Sequence, residues 1–314
     1  MHPLPPRPGR RLLRAAAIMP FVLALAYWGL ASYSHERLDF APQQAGGPSQ
    51  HQVRVEARPV ATVEDNLSGL SFDRERGHLW AVVNNPEELL ALGMDGELLQ
   101  RYPLSGFKDV EGVTWLGDGL LVFAEEHHNT LVIVPAPDRP GPVFRGAHRA
   151  LTLPVPGGDN QGIEGLGYDR RGDRLFIVKE HSPRGLLEIR GLKKSLAGDL
   201  NLQIIDRSDW IPSRRYAADL SSVAYDEHTG NLLLLSHESR AIIELDGAGR
   251  LLHVHSLSRG SAGLRETVAQ AEGMAFTEQG DLVVVSEPNL FHVFSRNRGR
   301  STSAPSNKTG ASGR

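Results

Sequence analysis

The sequence predicts an all-β protein, a five-bladed β-propeller preceded by one N-terminal transmembrane helix. Three observations carry the prediction. A short glycine-containing segment recurs five times, each copy leads into further short strands, and a charge-free apolar run lies near the N-terminus. With 314 residues, 40% apolar and 23% charged, the chain has the composition of a globular protein with a sizeable core.

In chain order, residues 1–14 form a basic stretch containing Arg7, Arg10, Arg11 and Arg14. Residues 15–34 carry no charge, and their length is close to the ~20 residues that span hydrocarbon. Tyr27, Trp28 and Tyr33 stand near the far end, where an aromatic belt sits. Four arginines before the span and Arg37 after it favour a cytoplasmic N-terminus and an exported body. This places the protein in the inner membrane as a single-pass protein with a periplasmic C-terminal domain. The alternative is a cleaved signal peptide, for which Ala24-Leu25-Ala26 offers a site. The apolar run continues past that site, which favours the retained anchor. Residues 35–52 read as a flexible linker and residues 296–314 as a disordered tail, both poor in groups to bury. The folded body is therefore expected over 53–295.

The repeats begin at Ser68-Gly69-Leu70-Ser71-Phe72, Glu111-Gly112-Val113-Thr114-Trp115, Glu164-Gly165-Leu166-Gly167-Tyr168, Ser221-Ser222-Val223-Ala224-Tyr225 and Glu272-Gly273-Met274-Ala275-Phe276. Their second residues are 43, 53, 57 and 51 positions apart. Periods of about 40–50 residues built from short strands mark a propeller. Second strands follow at 79–83, 120–124, 175–179, 232–236 and 282–286, joined to the first by turns such as Asp169-Arg-Arg-Gly172. Third strands are expected at 89–92, 131–134, 186–189, 241–245 and 290–294. Fourth strands are expected at 98–104, 150–155, 202–206 and 251–257. The fifth repeat lacks a fourth strand, and Val53–Val63 is an unassigned strand able to close the ring and remove an exposed edge. No amphipathic helix separates the strands, which argues against a parallel α/β fold. The one helix-like patch, Glu266–Ala271, is taken as a loop turn. Trp80 and Trp115 fall on strands and read as core between blades.

The runs Asn66-Leu-Ser-Gly-Leu-Ser-Phe-Asp73, Asp109-Val-Glu-Gly-Val-Thr-Trp115, Gln161-Gly-Ile-Glu-Gly-Leu-Gly-Tyr-Asp169, Asp219-Leu-Ser-Ser-Val-Ala-Tyr-Asp226 and Ala271-Glu-Gly-Met-Ala-Phe276 together resemble the SdiA-regulated family. The resemblance covers about 60–295 and rests on five motifs in order. It implies a membrane-anchored five-bladed propeller related to NHL-repeat proteins, with calcium bound in the propeller. It brings no established enzymatic activity to carry over, which leaves enzymatic activity open.

Aligning the repeats puts Ser68, Glu111, Glu164, Ser221 and Glu272 in one column before the innermost strand. A second column at the end of the second strand holds Asn84, Glu125, Glu180, His237 and Glu287, possible channel residues. Converging carboxylates repel one another and raise their pKa values unless a cation lies among them. Ca2+ accepts six to eight oxygen ligands and suits Glu111, Glu164 and Glu272, whereas Mg2+ demands tighter octahedral geometry. The bland reading is that each glutamate caps backbone amides or faces channel water. Glu125-Glu126-His127-His128, His181 and His237 invite a transition metal, but the spacing matches no zinc signature.

Composition and motif exclude several classes. Absence of cysteine rules out disulfides, thiolate zinc sites, iron–sulfur clusters and a cysteine nucleophile. A formal charge of −3 gives no electrostatic case for nucleic acid. Neither a G-x-S-x-G elbow nor a P-loop is present, and no catalytic residue is assigned. The favoured function is a membrane-tethered, calcium-binding interaction or ligand-sensing module of the bacterial cell envelope. Its partner would be a protein or small molecule at the propeller face. The alternative is a calcium-dependent hydrolase of phosphoesters or lactones, with Lys179 and Arg184 the basic candidates beside the carboxylates.

Overall fold

The hairpins expected between first and second strands form in all five repeats, and each grows into one blade of a propeller. The structure, a computed structural model, describes residues 51–155, 162–181, 183–198 and 200–296. The basic N-terminal stretch, the apolar segment 15–34, nearly all of the 35–52 linker and nearly all of the 296–314 tail lie outside the described residues. No helix among the described residues is long and apolar enough to cross a membrane.

The chain enters through β1 (His51–Pro59) and builds blade one from β2 (Leu67–Asp73), β3 (His78–Asn84), β4 (Glu87–Leu92) and β5 (Leu98–Ser105). Blade two contains β6 (Val110–Gly117), β7 (Leu120–Glu125), β8 (Thr130–Pro135) and β10 (Arg149–Thr152). The short β9 (Val143–Phe144) between them returns to the outer edge of blade one, parallel to β5. Blade three is β11 (Ile163–Asp169), β12 (Arg174–Lys179), β13 (Gly185–Arg190) and β14 (Gln203–Asp206). Blade four is β15 (Ser222–Asp226), β16 (Asn231–Ser236), β17 (Ala241–Leu245) and β18 (Leu251–Ser256). Blade five has β19 (Ala271–Phe276), β20 (Leu282–Ser286) and β21 (Leu290–Arg296), with β1 as its outermost strand.

The closing strand therefore comes from the N-terminal side, as the missing fourth strand suggested, although its bounds differ. It starts at His51 rather than Val53 and stops at Pro59, and it pairs antiparallel with β21. Val60 and Val63 turn inward and pack on the core between blades five and one. Glu56 fastens β1 to the loop after blade four: its Oε1 accepts the backbone N–H of Arg265 at 2.7 Å, and its Oε2 meets Arg265 Nε at 2.8 Å.

Turn chemistry follows the sequence. Asp73 Oδ1 accepts from the amides of Glu75 and Arg76, and Asp169 Oδ1 from those of Arg171 and Gly172. The aspartate ending each of these strands thus shapes its own turn. Five apolar clusters fill the five interfaces between successive blades. Trp80 and Trp115 share the cluster between blades one and two, as anticipated for core residues.

The innermost strands β2, β6, β11, β15 and β19 each pack against the next around the ring. Crowding there explains the repeated glycine. A Cβ on Gly112 would lie 2.3 Å from the Glu164 carbonyl oxygen, and one on Gly273 would lie 2.6 Å from that of Ser68. In the fourth repeat Ser222 takes the same position, and its hydroxyl accepts the Met274 amide of blade five at 3.3 Å.

An α-helix departs from the all-strand expectation. Leu192–Ala197 forms a short helix, α1, after β13. Asp173 accepts the amides of Lys193 and Lys194 at 3.0 and 3.1 Å, and Leu192 is buried beneath. The loop reading of Glu266–Ala271 agrees with the structure up to Gln270; Ala271 begins β19.

Candidate functional site: an acidic channel mouth

The first column lands where the propeller geometry requires. Ser68, Glu111, Glu164 and Glu272 are each the second residue of an innermost strand, and Ser221 stands immediately before β15. They ring one mouth of the channel. Ser68 Oγ lies 2.8 Å from Glu111 Oε2 and 2.9 Å from the Glu111 carbonyl, and the Asn84 side-chain amide donates to Glu111 Oε1. Ser221 Oγ donates instead to the Ala271 carbonyl at 2.7 Å, which latches blade four to blade five.

The second column needs a correction at one position. Glu125 is turned away from the channel, where Arg145 grips its carboxylate through Nε and Nη2 at 2.8–2.9 Å. Its neighbour Glu126 takes the inward place. The cause is a one-residue slip in blade two. In the other repeats the residue opposite the fifth position of the pentad is Leu79, Leu175, Leu232 or Leu282, and in blade two it is Leu121 rather than Leu120. A bulge between Trp115 and Gly117 absorbs the extra residue. Backbone bonds repeat the correspondence: the amides of Asn84, Glu126 and Glu287 donate to the carbonyls of Asn66, Asp109 and Gln270.

Those partners reveal a third column, two residues before the first. Asn66, Asp109 and Gln270 have positive φ (62°, 54° and 40°) at the turn entering the innermost strand. Asp219 holds the same place in blade four. Its signal was present in the runs Asp109-Val-Glu and Asp219-Leu-Ser, yet the acidic residue two positions upstream was not read as part of the site. The result is two groups of close donor atoms among the described residues, each within 4.8 Å of one another. One contains Asp109, Glu111 and Glu126, the other Glu180, Asp219 and His237.

Glu164 lies between these groups. Burial pushes its carboxyl well above the usual range, and Glu111, Glu126, Glu180 and Glu272 push it further. Burial also raises Glu111 to about 7, against hydrogen bonds from Asn84 and Ser68, and Glu272 to about 8, against the pull of His237. Glu126, Glu180 and Glu287 are raised for the same first reason, burial. Glu287 sits at the rim, where its Oε2 accepts from the Gln270 side-chain Nε2. His237 is raised to about 9, chiefly by Asp219. Asp219 is lowered, because His237 and Ser236 outweigh its burial.

The expected basic residues are engaged elsewhere. Lys179 Nζ donates to the carbonyls of His181 and Pro183 at 2.6 and 3.2 Å, and Arg184 donates to those of Ala217 and Pro212. The opposite mouth, where Phe72, Trp115, Tyr168 and Phe276 help line a cavity of about 80 Å³, is compensated differently. There Glu227 meets two guanidiniums, Arg74 at 3.5 Å and Arg170 at 3.2 Å.

On the blade-two side the donors are all oxygen: the carboxylates of Asp109, Glu111 and Glu126, with Glu164 beside them. The buried Asn84 Oδ1 has no hydrogen-bond partner. Such a set fits a hard cation, for which carboxylate and amide oxygens are the ordinary ligands.

Fold and site together define a five-bladed propeller with a carboxylate-lined channel mouth. The sequence model of the SdiA-regulated family matches residues 43–295, and the chain belongs to that family. Among solved structures it is similar to a luciferin-regenerating enzyme, at 12% identity over 77% of this chain and 94% of that one, with a TM-score of 0.48. It is also similar to a chain of a nidogen/laminin complex (9%, 75% and 85%, TM-score 0.47). Virginiamycin B lyase from Staphylococcus aureus is a third (14%, 75% and 68%, TM-score 0.43).

Proposed function

We propose that the protein is a membrane-tethered, calcium-binding propeller serving as an interaction or ligand-sensing module of the cell envelope. The observation that carries the calcium reading is Glu164, a buried carboxylate surrounded by Glu111, Glu126, Glu180 and Glu272. A buried carboxylate group of this density stays protonated or takes a cation. Asp109, Glu111, Glu126 and Glu164 would hold the ion, and Glu272, facing His237 at 3.6 Å, completes the acidic ring from blade five. A bound Ca2+ would supply the positive charge that offsets the ring, held by carboxylates from blades two and three. The residues' own contribution is to preorganise oxygen atoms, with Asn84 and Ser68 aiming the Glu111 carboxylate.

The tether rests on the apolar run 15–34 and its flanking arginines. Hydrolysis is the weaker reading, because Lys179 and Arg184 are bonded to backbone carbonyls rather than presented to a phosphate. Calorimetric titration of the full-length, chelator-treated chain with CaCl2 tests the proposal. One Ca2+ should bind per chain, with a dissociation constant of about 10⁻⁴–10⁻³ M if the site resembles extracellular modules. Glu111→Gln should abolish the heat. Binding heat that persists in a Glu111→Gln/Glu164→Gln double variant would show that the ion sits elsewhere.

A further inference from the structure

The geometry points to a second, chemically distinct metal site in the same mouth, formed by His237, Asp219 and Glu180 and suited to a divalent first-row transition ion such as Zn2+. It does not rest on the calcium reading, since its donors belong to blades three and four and include a nitrogen.

His237 follows β16 and Glu180 follows β12, so the two come from equivalent positions in adjacent blades. Asp219 comes from the turn entering β15. Its side chain is fully buried, yet Oδ2 has no hydrogen-bond partner. His237 Nδ1 is likewise buried without one, although the two atoms are only 2.8 Å apart. They form a close ion pair that lacks the alignment of an N–H···O bond, so a metal entering here would displace the proton that His237 holds against Asp219. Glu180 Oε1 lies 3.8 Å from the same Nδ1. Ligand atoms about 2.0–2.2 Å from one ion stand roughly 3 Å apart in octahedral and roughly 3.4 Å apart in tetrahedral geometry. The observed separations bracket those values.

Each carboxylate also divides its oxygens as a ligand does. Asp219 Oδ1 is held by the Ser236 hydroxyl and by the Glu238 amide at 3.2 Å, which leaves Oδ2 pointing at His237. Glu180 Oε2 lies 3.2 Å from His181 Nε2, which leaves Oε1 pointing inward. Such outer partners orient metal ligands and fix which oxygen is offered. One imidazole and two carboxylates make a borderline donor set, which prefers transition ions over Ca2+ or Mg2+. His237 and Glu180 keep 25% and 18% of their side-chain surface exposed, so the remaining coordination positions open to the channel.

The test uses Co2+ as a spectroscopic stand-in for Zn2+ on the full-length chain stripped by chelation. The wild type should bind one Co2+ with visible d–d absorption, and one equivalent of Zn2+ should bleach it. His237→Gln should remove the spectrum while keeping the wild-type circular dichroism and a cooperative metal-free melt, which shows that the variant folds. Ser236→Ala, which frees the Asp219 oxygen that Ser236 holds, should weaken Co2+ binding about 10–100-fold. Replacing His127 and His128 together by Ala should change nothing. The proposal is overturned if the wild type gives no stoichiometric spectrum, or if His237→Gln retains it. It is also overturned if the spectrum depends on His127 and His128, or if one equivalent of Ca2+ displaces the bound Co2+.

Discussion

Glu164 shows how one side chain can carry opposite consequences in two states. Metal-free, its carboxyl is buried among other acids, and burial pushes it well above the usual carboxylate range, so its charged form is costly. Glu164→Gln keeps the shape and removes a charge that the fold cannot solvate. The variant should therefore melt a few degrees higher than wild type without calcium and lose most of the calcium response. Calorimetric melts of both proteins, each with and without calcium, check this. Gly112 makes the reverse case, a residue chosen for what it lacks. Because its Cβ would meet the Glu164 carbonyl at 2.3 Å, a backbone atom with little room to retreat, Gly112→Ala should cost about 2–3 kcal/mol in urea unfolding. Residue identities in the first column were readable from sequence because each glutamate precedes such a glycine. Glu126 was misread as Glu125 because the bulge in β6 is invisible in a gapless alignment. Asp109 and Asp219 were overlooked because a single acidic residue before a strand looks like any turn residue, and only the backbone bonds from Glu126 to Asp109 reveal the column.

Among the elements, β1 has the clearest mechanical role. It supplies the outermost strand of blade five and, through Glu56, holds the loop that leads from blade four. Without it β21 would present an unpaired edge. Removing residues 1–63 should give a chain that aggregates, whereas removing 1–45 should leave a monodisperse one. Size-exclusion chromatography of the two truncations distinguishes these outcomes, and a monodisperse 64–314 fragment would refute the closure. Strands were legible because alternating apolar residues and Asp- or Gly-bearing turns recur in all five repeats. Helix α1 was not, because six residues are too few to show a 3.6-residue period and its start is organised by Asp173, some twenty positions earlier. β9 was hidden for a similar reason: a two-residue strand paired across blades has no local pattern.

For the whole molecule, the charges at the acidic mouth set the dependence of stability on pH. Unfolded glutamate titrates near 4.3, while folded Glu111 and Glu272 titrate at about 7 and about 8. Between those limits the folded chain binds more protons than the unfolded one, so unfolding free energy falls as pH rises. His237, raised from about 6.5 to about 9, acts in the same direction: its contribution is complete below 6.5 and is lost as pH passes 9. Metal-free protein should lose stability steadily from about pH 5 to 9, seen as a falling urea midpoint. Calcium at the proposed site would compete with the protons, so its stabilising effect should be small at pH 5 and grow across the same window. Orientation is tested separately: a reporter fused to the C-terminus should be active if it requires the periplasm, and activity of a cytoplasm-dependent reporter would reverse the topology.

The proposed cation site at the acidic mouth of the propeller is distinguishable from a set of capping residues. Its most direct test is the melting temperature of the full-length chain at pH 7.5, with and without Ca2+ or Mg2+. At 100 times its dissociation constant, a ligand specific for the folded state adds about 2.7 kcal/mol, or roughly 5–10 °C for a domain of this size. Such a rise is expected with Ca2+, a much smaller one with Mg2+, and its loss in Glu111→Gln and Glu164→Gln. An unchanged melting curve with saturating Ca2+, together with a Glu111→Gln/Glu164→Gln/Glu272→Gln variant no more stable than wild type, would contradict it.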